Sequence, residues 1–262
     1  MQKTAKHKIV IIGCGNVAWH LAKQFTGLKK YELFVYNHRA NNLLNDFKTK
    51  LKCSVSPNLN KIITDADFYF ICVVDKNISS VAKKIKIKNP NAIVIHTSGS
   101  AKINELGEKF STAVFYPLQT FSKHDEVNWK ETPIIVEAKN ATIKTKILNL
   151  AKDFSNNVSS LNYKERLTLH LAAVLVNNFT NALFVAAGDL VGKDKKMLLP
   201  LIKQTVLKIQ KLDPRAAQTG PAKRGDKNVM EKHLKLLSSK NDIKKTYKQL
   251  SSLIVKQQTK HA

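Results

Sequence analysis

Residues 8 to 18 read Lys-Ile-Val-Ile-Ile-Gly-Cys-Gly-Asn-Val-Ala, an apolar β-branched run that ends in Gly13-x-Gly15-x-x-Ala18. This pattern predicts a strand buried on both faces, a tight turn at Gly13 and a helix that begins at Asn16. Gly15 would let a phosphate approach the backbone, and the first helical N–H groups, including those of Asn16 and Val17, would bind it. The stretch therefore predicts a bound dinucleotide, the alternative being an ordinary glycine turn that holds no ligand.

The end of the second predicted strand indicates which dinucleotide is bound. Residues 31–36 have the pattern of that strand, and Asn37-His38-Arg39 follows it. Sites for NAD usually carry an acidic residue here, about 20 residues after the glycines, which binds the ribose hydroxyls. An amide, an imidazole and a guanidinium instead suit a 2′-phosphate, because a planar guanidinium binds phosphate oxygens bidentately. The sequence predicts NADP(H) as cofactor, unless Arg39 is only one more surface cation.

The composition is that of a globular protein. The chain has 262 residues, 43% of them hydrophobic, which is enough for a sizeable core. Its formal net charge is +25, but the lysines are scattered through nearly every helix-like segment and accompany no nucleic-acid-binding motif. We therefore expect a solvated basic surface and no specific nucleic-acid partner.

Several features favour a cytoplasmic protein. Residues 1–8 are polar and do not resemble a signal peptide. The longest apolar segment, residues 167–191, contains His, Asn, Thr and Asp, so we expect a buried helix of a soluble protein rather than a membrane span. Cys14, Cys53 and Cys72 lack the spacing of metal ligands and fit a reducing compartment. Cys14 is interpreted as a small apolar filler rather than a redox switch, and no metal site is predicted.

Strand-like and helix-like segments alternate from the glycine turn to about residue 160. Strands are predicted at 9–12, 31–36, near 54, and at 68–74, 92–96, 113–115 and 133–136, with helices between them, one at 102–109. This order predicts an α/β fold with a doubly wound, mostly parallel sheet. Beyond residue 163 only helices are predicted, at 164–191, 194–212, 227–237 and 242–257. We expect a nucleotide-binding domain over residues 1–160 and a helical substrate and dimerisation domain over 161–262.

Candidate site residues follow the predicted strands, because ligands of open α/β sheets bind at the carboxyl ends of strands. Val73-Val74-Asp75 would let the backbone pass close to the cofactor. His96-Thr97-Ser98-Gly99-Ser100 would lie beside its nicotinamide half, with Thr97 and Ser98 as binding residues. Tyr116-Pro117-Leu118-Gln119-Thr120-Phe121-Ser122 adds a ring, an amide and hydroxyls.

His96 is the first candidate for proton transfer, because an unperturbed imidazole titrates near neutral pH. The alternative is structural: the turn would then be a hydroxyl-rich cap in which Ser98 or Ser100 begins the next helix.

Further polar candidates lie in the predicted helical domain. His170, Asn177 and Asn181 fall along one face of an apolar helix, where they would line a substrate pocket or bond to neighbouring helices. Arg224 lies in a turn-rich stretch, residues 218–226, in which Asp226 can cap the following helix. Its guanidinium suits a substrate carboxylate or a cofactor phosphate.

These motifs together resemble the predicted short-subunit dehydrogenase-like oxidoreductases, in which a Rossmann-like domain precedes a helical domain of unknown function. The resemblance covers nearly the whole chain and rests on the glycine turn, the His96–Ser100 and Tyr116–Phe121 stretches, Asn177-Asn178-Phe179-Thr180-Asn181 and Thr219-Gly220-Pro221-Ala222-x-Arg224-Gly225-Asp226. More distantly, the chain is similar to pyrroline-5-carboxylate reductases and β-hydroxyacid dehydrogenases, which use NADP or NAD and dimerise through C-terminal helices.

The more distant resemblance implies catalytic residues only in part. Hydroxyacid dehydrogenases place a lysine four residues before an asparagine on the first helix of the second domain. Here Ala173 and Val174 precede Asn177 and Asn178 at that spacing, so His170 is the nearest ionisable substitute. The resemblance therefore implies catalytic roles for Asn177 and Asn178 but leaves standard hydroxyacid chemistry in doubt.

The sequence as a whole predicts an NADP-dependent oxidoreductase, expected to be a homodimer, that moves hydride between nicotinamide and a small carbonyl or imine substrate carrying a carboxylate. His96 or His170 would transfer the proton, and Arg224 would bind the substrate anion. The competing interpretation is a non-catalytic NADP-binding sensor or scaffold, since a fold does not by itself imply an activity.

Overall fold

The computed structural model describes residues 6–259, and eight strands within this range form a single sheet. The strands are β1 (His7–Ile12), β2 (Tyr31–Tyr36), β3 (Ser54–Ser56), β4 (Phe68–Ile71), β5 (Ile93–His96), β6 (Ser111–Pro117), β7 (Ile134–Ala138) and β8 (Val158–Ser160).

The α-helices of the described residues fall into two sets. Those around the sheet are α1 (Asn16–Gly27), α2 (Asn42–Lys50), α3 (Ile78–Lys84), α4 (Ala141–Lys152) and α5 (Tyr163–Ala173). Those that follow are α6 (Thr180–Val191), α7 (Leu199–Ile209), α8 (Pro214–Ala217), α9 (Pro221–Arg224), α10 (Lys227–Leu236) and α11 (Asn241–Thr259). A π-helical turn, Val174–Phe179, lies between α5 and α6.

The strand order is β3-β2-β1-β4-β5-β6-β7-β8. Successive neighbours are parallel except β6 and β7, which are antiparallel. The order reverses direction between β1 and β4, which is the switch point where ligands of open α/β sheets bind. The predicted doubly wound, mostly parallel α/β fold is therefore confirmed, and β1, β4, β5 and β6 end at one edge of the sheet.

Strand β1 is central because both of its faces are covered. Ile9 and Ile11 pack into one hydrophobic cluster, with Phe25 and Phe70, while Val10 and Ile12 pack into a second cluster on the other face. All four β1 side chains are at most 1% exposed. This two-sided burial explains why the strand consists of consecutive apolar residues instead of alternating ones.

Several local expectations differ from the structure. Strand β8 was not predicted, because Val158–Ser160 is short and half polar. The helix predicted over residues 102–109 is only a 3₁₀ turn, Ile103–Leu106, which Gly107 ends with a φ of +76°. Strand β6 is longer than predicted, so that Tyr116 and Pro117 belong to the strand itself.

The three cysteines are free and buried, as expected of small apolar fillers. Burial raises the pKa of Cys14 and of Cys72 to about 12, and that of Cys53 to about 11. A thiol that stays protonated reacts slowly with oxidants and disulfides. The redox-switch alternative for Cys14 therefore finds no support in its environment.

The chain divides into two compact units, Met1–Asn177 and Asn178–Ala262. The change from mixed to purely helical structure occurs near residue 160, where a boundary was predicted, but the first unit also includes α5. The two units are described separately below.

The apolar segment of residues 167–191 is not buried, contrary to expectation. Every residue of α6 is exposed or only partly buried; Phe184, for example, is 42% exposed. The helical run Tyr163–Ile209 has a mean hydropathy of 1.5 over its most apolar window, so by length and composition it could cross a membrane. Periodicity and composition report which residues are apolar, but they do not report what covers them.

Candidate active site

The glycine turn lies at the carboxyl end of β1. Gly13 has a φ of +114°, and a Cβ added to it would lie 2.3 Å from the backbone oxygen of Cys72. Its N–H donates to the carbonyl of Tyr36 at 2.8 Å. Only glycine satisfies both the conformation and the close approach, so Gly13 shapes the turn as predicted.

Gly15 differs because the space in front of it is open. A Cβ added to Gly15 would meet no heavy atom within 4 Å, and Gly15 is the N-cap residue of α1. The first turn of α1 carries no acidic side chain, and Asn16 and Gly15 are exposed. The N–H groups and the positive dipole end of a 12-residue helix therefore face an open cradle, which fits a pyrophosphate. The Asn16 amide, in contrast, donates to the carbonyl of Phe121 at 2.8 Å.

A cavity of about 520 Å³ extends from the glycine turn over the end of β2. Its lining includes the glycine turn, the end of β2 and one side of α3: Gly13, Cys14, Gly15, Asn37, His38, Val73, Val74, Asn77, Ser80 and Lys84. Its position at the switch point and its size fit the adenosine half of a dinucleotide.

Arg39 does not line this cavity, whereas six other predicted cofactor residues do: Gly13, Gly15, Asn37, His38, Val73 and Val74. Arg39 is exposed, and its carbonyl accepts a hydrogen bond from the Asn37 amide at 3.0 Å. Lys84 is a further cation that lines this cavity, and it was not predicted from the sequence. The signal was available, because Asn77, Ser80 and Lys84 recur at helical spacing along α3.

Polar residues that follow β4 and β5 are joined by hydrogen bonds at the edge of the sheet. One carboxylate oxygen of Asp75 accepts from the hydroxyls of Ser98 and Ser100, at 2.8 and 2.5 Å. Ser98 Oγ in turn accepts from the backbone N–H groups of Ser100 and Ala101. Asp75, predicted to bind cofactor, thus holds the β5 turn, in which Thr97 is half-buried.

Arg166 on α5 fixes the turn after β5 by hydrogen bonds to its carbonyl groups. It is fully buried and donates to the carbonyls of Ser98 and Ala101 at 2.9 and 2.7 Å, and to the carboxylate of Glu137 at 2.9 Å. A buried guanidinium is stable only when its donors are paired, and here β7 and the turn supply the acceptors. Arg166 was not predicted as a site residue, although it follows the capping box that Asn162 and Glu165 form at the start of α5.

His96 is not placed to meet a substrate. It is the last residue of β5 and is 0% exposed, and the Ser98 N–H donates to its Nδ1 at 3.2 Å. Burial, together with the positive charge of Arg166, lowers the pKa of His96 to about 4. The predicted proton-transfer role of His96 is therefore corrected to a structural one, that of a neutral imidazole inside the sheet.

His170 lies at the carboxyl ends of β5 and β6, where the nicotinamide half of the cofactor was predicted. Its Nδ1 and the hydroxyl of Tyr116 are 3.0 Å apart, and the two rings are in edge contact. A Cβ added to Gly99 would lie 2.5 Å from His170 Nδ1 and 2.8 Å from Tyr116 Cζ. The structure thus brings together three residues from three predicted motifs.

The remaining predicted residues are exposed. Asn177 and Asn178 lie in the π-helical turn, and Asn181 lies at the start of α6. Their side chains are not buried among apolar residues, contrary to expectation, and so need no buried hydrogen-bond partner. Arg224 is the last residue of α9 and is exposed, and Asp226 caps α10 as predicted by accepting from the Val229 N–H at 3.1 Å.

Comparison with known proteins adds the family. Two family models match consecutive parts of the chain: "NADP oxidoreductase coenzyme F420-dependent" matches residues 8–100, and "Domain of unknown function (DUF2520)" matches residues 132–254. The crystal structure of a "putative NADP oxidoreductase" from Bacteroides fragilis is 33% identical, with a TM-score of 0.89 over 96% of this chain and 98% of that chain. This chain belongs to the same family of NADP oxidoreductases.

More distant structures share the fold of this oxidoreductase. A Thermotoga maritima protein is 19% identical, with a TM-score of 0.72 over 97% of this chain and 100% of that chain. A reductive aminase from Aspergillus terreus, in complex with NADPH and ethyl levulinate, is 14% identical, with a TM-score of 0.73 over 96% and 94%. No functionally curated protein matches the chain.

Family membership confirms the predicted Rossmann oxidoreductase with NADP(H) as its cofactor. The description of the family as short-subunit dehydrogenase-like was wrong, because the matching models are those of the NADP oxidoreductases and of the C-terminal domain of unknown function. The open space at Gly15 and the cavity beside it fit that cofactor.

The two turn glycines should respond differently to alanine. Gly15→Ala should leave the free energy of unfolding nearly unchanged but weaken NADPH binding at least tenfold, because the methyl group enters the space that the pyrophosphate needs. Gly13→Ala should destabilise the fold, because it collides with the Cys72 carbonyl. Urea unfolding and a fluorescence titration with NADPH measure the two effects. Full NADPH affinity in Gly15→Ala would contradict this position of the cofactor.

Acid should destabilise this oxidoreductase through His96. In the unfolded chain His96 binds a proton near pH 6.5, whereas in the folded protein its pKa is about 4. The unfolded state therefore binds more protons between these values, and stability is lost as the pH falls from 6.5 to 4, by about 3 kcal/mol. His96→Gln should flatten this pH dependence, while the exposed His124→Gln control should retain it. Equal slopes in wild type and His96→Gln would show that His96 does not cause them.

Proposed function

We propose that this protein reduces a small carbonyl or imine substrate that carries a carboxylate, using NADPH, or catalyses the reverse oxidation. The observation that carries the proposal is the different character of the two halves of one sheet edge. Over β1, β2 and α3 lies the cavity that fits adenosine. Over β5 and β6 lie a phenol and an imidazole in hydrogen-bond contact, beside a turn whose carbonyls accept hydrogen bonds from the buried Arg166.

The cofactor half would use groups already in place. Backbone N–H groups at Gly15, Asn16 and Val17 would bind the pyrophosphate, and Asn37, His38 and Arg39 would bind the 2′-phosphate. Lys84, which lines the cavity, would add a second cation. When bound, NADPH supplies the hydride, and the protein positions the acceptor and handles the proton.

A titratable pair favours catalysis over sensing. A sensor needs only the cofactor half of the edge, whereas proton transfer needs an ionisable group near the reacting half. Imine reductases and a reductive aminase are built on this fold, and their structures include complexes with NADP+ and with NADPH. They are 13–14% identical to this chain, so they support a reaction class and not a substrate.

We propose that Arg224 binds the carboxylate of the substrate. Its guanidinium is exposed at the end of α9, between the turn glycines Gly220 and Gly225. A bidentate Arg–carboxylate contact is stronger than a neutral hydrogen bond and favours acids over their esters.

The test is a substrate panel of 2-oxo acids, cyclic imino acids and the methyl esters of both, with NADPH oxidation followed by absorbance. We expect turnover of at least one acid, with the ester slower. Arg224→Gln should raise the KM of the acid about tenfold or more and leave the KM of the ester nearly unchanged, since a charged hydrogen bond contributes about 1.5–3 kcal/mol. The exposed Arg215→Gln is the matched control. Saturable NADPH binding without oxidation of any compound would favour the sensor.

We also propose that a second copy of the chain covers the helical unit. Met197, Leu199 and Leu201 are 76%, 59% and 65% exposed. Leu199 and Leu201 line an apolar groove of about 410 Å³, together with Phe184 and Ile202. Exposed apolar surface of this extent is typical of subunit interfaces. A membrane is the less favoured occupant, because three lysines and one aspartate interrupt the helical run Tyr163–Ile209: Lys193, Asp194, Lys195 and Lys196.

Sedimentation equilibrium should give twice the mass of the chain. Leu201→Asp should shift the protein to monomer, because it places a charge in the apolar contact, whereas Leu43→Asp, at an exposed leucine of α2, should remain a dimer. A monomeric wild type would contradict the dimer, and co-sedimentation of the wild type with lipid vesicles would replace it with a membrane contact.

A further inference from the structure

Two pairs of tyrosine and histidine share the same geometry in the described residues. Tyr116 Oη and His170 Nδ1 are 3.0 Å apart, with ring centroids at 5.8 Å. Tyr247 Oη and His233 Nδ1, in the helical unit, are 2.9 Å apart, with centroids at 5.7 Å. A phenol bonded to an imidazole is therefore not by itself a site, and the surroundings of each pair decide its role.

The first pair is distinguished by its position at the ligand-binding edge of the sheet. Tyr116 is the penultimate residue of β6, which runs parallel to β5 and ends at the same edge as the glycine turn. Three strand spacings separate β1 from β6 in the strand order, which amounts to about 14 Å. A dinucleotide that crosses the edge from β2 towards β6 brings its reacting half to this end.

The second distinction is that the backbone is shaped around the pair. Gly99 lies so close to both rings that any side chain would collide with His170 Nδ1 and Tyr116 Cζ. Arg166, one helical turn before His170 on α5, donates to the carbonyl of Ser98 and so fixes the residue next to Gly99. The turn that follows β5 is thereby held against the two rings.

The third distinction is the difference in exposure of the two partners. Tyr116 is only 9% exposed, and burial raises its pKa, against the effect of the Arg166 charge, so the phenol stays protonated at neutral pH. His170 is half-buried and therefore reaches solvent. A protonated donor on the inside and a solvent-connected partner behind it are the two parts of a proton relay.

We propose that Tyr116 is the catalytic acid of the reduction and that His170 is its proton source. This inference rests on the proposed function. As the C=N or C=O carbon accepts hydride, its π-electron pair moves to nitrogen or oxygen, which takes the proton of the Tyr116 hydroxyl. The phenolate then takes a proton from Nδ1 of His170, and solvent returns a proton to the imidazole ring. The substrate gains two electrons and two hydrogens, and NADPH leaves as NADP+.

Other ionisable groups at this edge are less suited to the role. His96 is fully buried and carries a neutral ring. Asp75 accepts hydrogen bonds from two serine hydroxyls. Arg166 has its donors directed at Glu137 and at two carbonyls. Tyr116, in contrast, can give up the proton of its hydroxyl and recover one from the neighbouring His170.

The test compares Tyr116→Phe and His170→Ala with the matched pair Tyr247→Phe and His233→Ala. With an acid or imine that the wild type reduces, Tyr116→Phe should lower kcat about 10²–10⁴-fold, while the NADPH dissociation constant changes less than twofold. His170→Ala should lose a similar factor and regain activity when imidazole is added, because free imidazole can fill the space and supply the proton. The two variants of the second pair should keep wild-type kcat.

A second measurement does not depend on turnover. In ligand-free protein labelled with ¹⁵N-histidine, Tyr116→Phe should shift the His170 Nδ1 resonance and leave that of His233 unchanged, whereas Tyr247→Phe should do the opposite. Thermal unfolding verifies that each variant folds.

The outcomes separate this inference from the function on which it rests. A wild type that binds NADPH but reduces no compound of the panel overturns the proposed function. An active wild type whose kcat is unaffected by Tyr116→Phe overturns the proton relay alone. Loss of activity in His170→Ala without imidazole rescue, and an unmoved His170 resonance in Tyr116→Phe, would likewise reduce the pair to a packing contact.

Discussion

The buried ion pair between Arg166 and Glu137 is the interaction on which the arrangement of the candidate site depends. Arg166 is 0% exposed, and Glu137 retains 13% of its side-chain exposure, so neither charge is well hydrated. The guanidinium therefore needs acceptors, and it finds two of them in the carbonyls of Ser98 and Ala101. One residue thus ties the turn after β5, strand β7 and helix α5 together, and losing it would leave a carboxylate and two carbonyls unpaired.

The second constraint is that other groups lie too close to the backbone at Gly13 and Gly99 for a side chain to fit there. The consequence differs between the two glycines. At Gly13 the neighbour is the Cys72 carbonyl, so the constraint shapes the turn over which the cofactor lies. At Gly99 the neighbours are the rings of Tyr116 and His170, so the constraint shapes the region of the reacting groups. Gly15 lacks such a neighbour, and its open space is what a phosphate requires. Equivalent glycines in the sequence therefore serve different functions, which only their surroundings distinguish.

Much of the fold could be predicted from the sequence, because strand burial and the glycine turn leave local patterns. The switch point, the cavity residues Asn37 and His38, and the Asp226 cap follow from such patterns. The contact of Tyr116 with His170 could not be predicted, since it joins residues 54 positions apart through a turn whose conformation depends on a third element. His96 was misjudged for the same reason: its position at the end of a strand was clear, but its complete burial was not. The exposure of α6 was missed because apolar content does not reveal what covers a helix.

Arg166 and His170 lie four residues apart on α5 and therefore share one face of the helix. The ion pair that holds this face against the turn also sets the position of the imidazole that follows it. Helix α5 thus carries both the ion pair that holds the turn and the imidazole of the candidate site. Replacing Arg166 would leave the Glu137 carboxylate without its partner and would also move the imidazole of His170. The second Tyr–His pair has a comparable hydrogen bond, but no glycine of the described residues is pressed against its rings. What distinguishes the Tyr116–His170 pair is therefore its surroundings, the rigid turn on one side and the ligand-binding edge on the other.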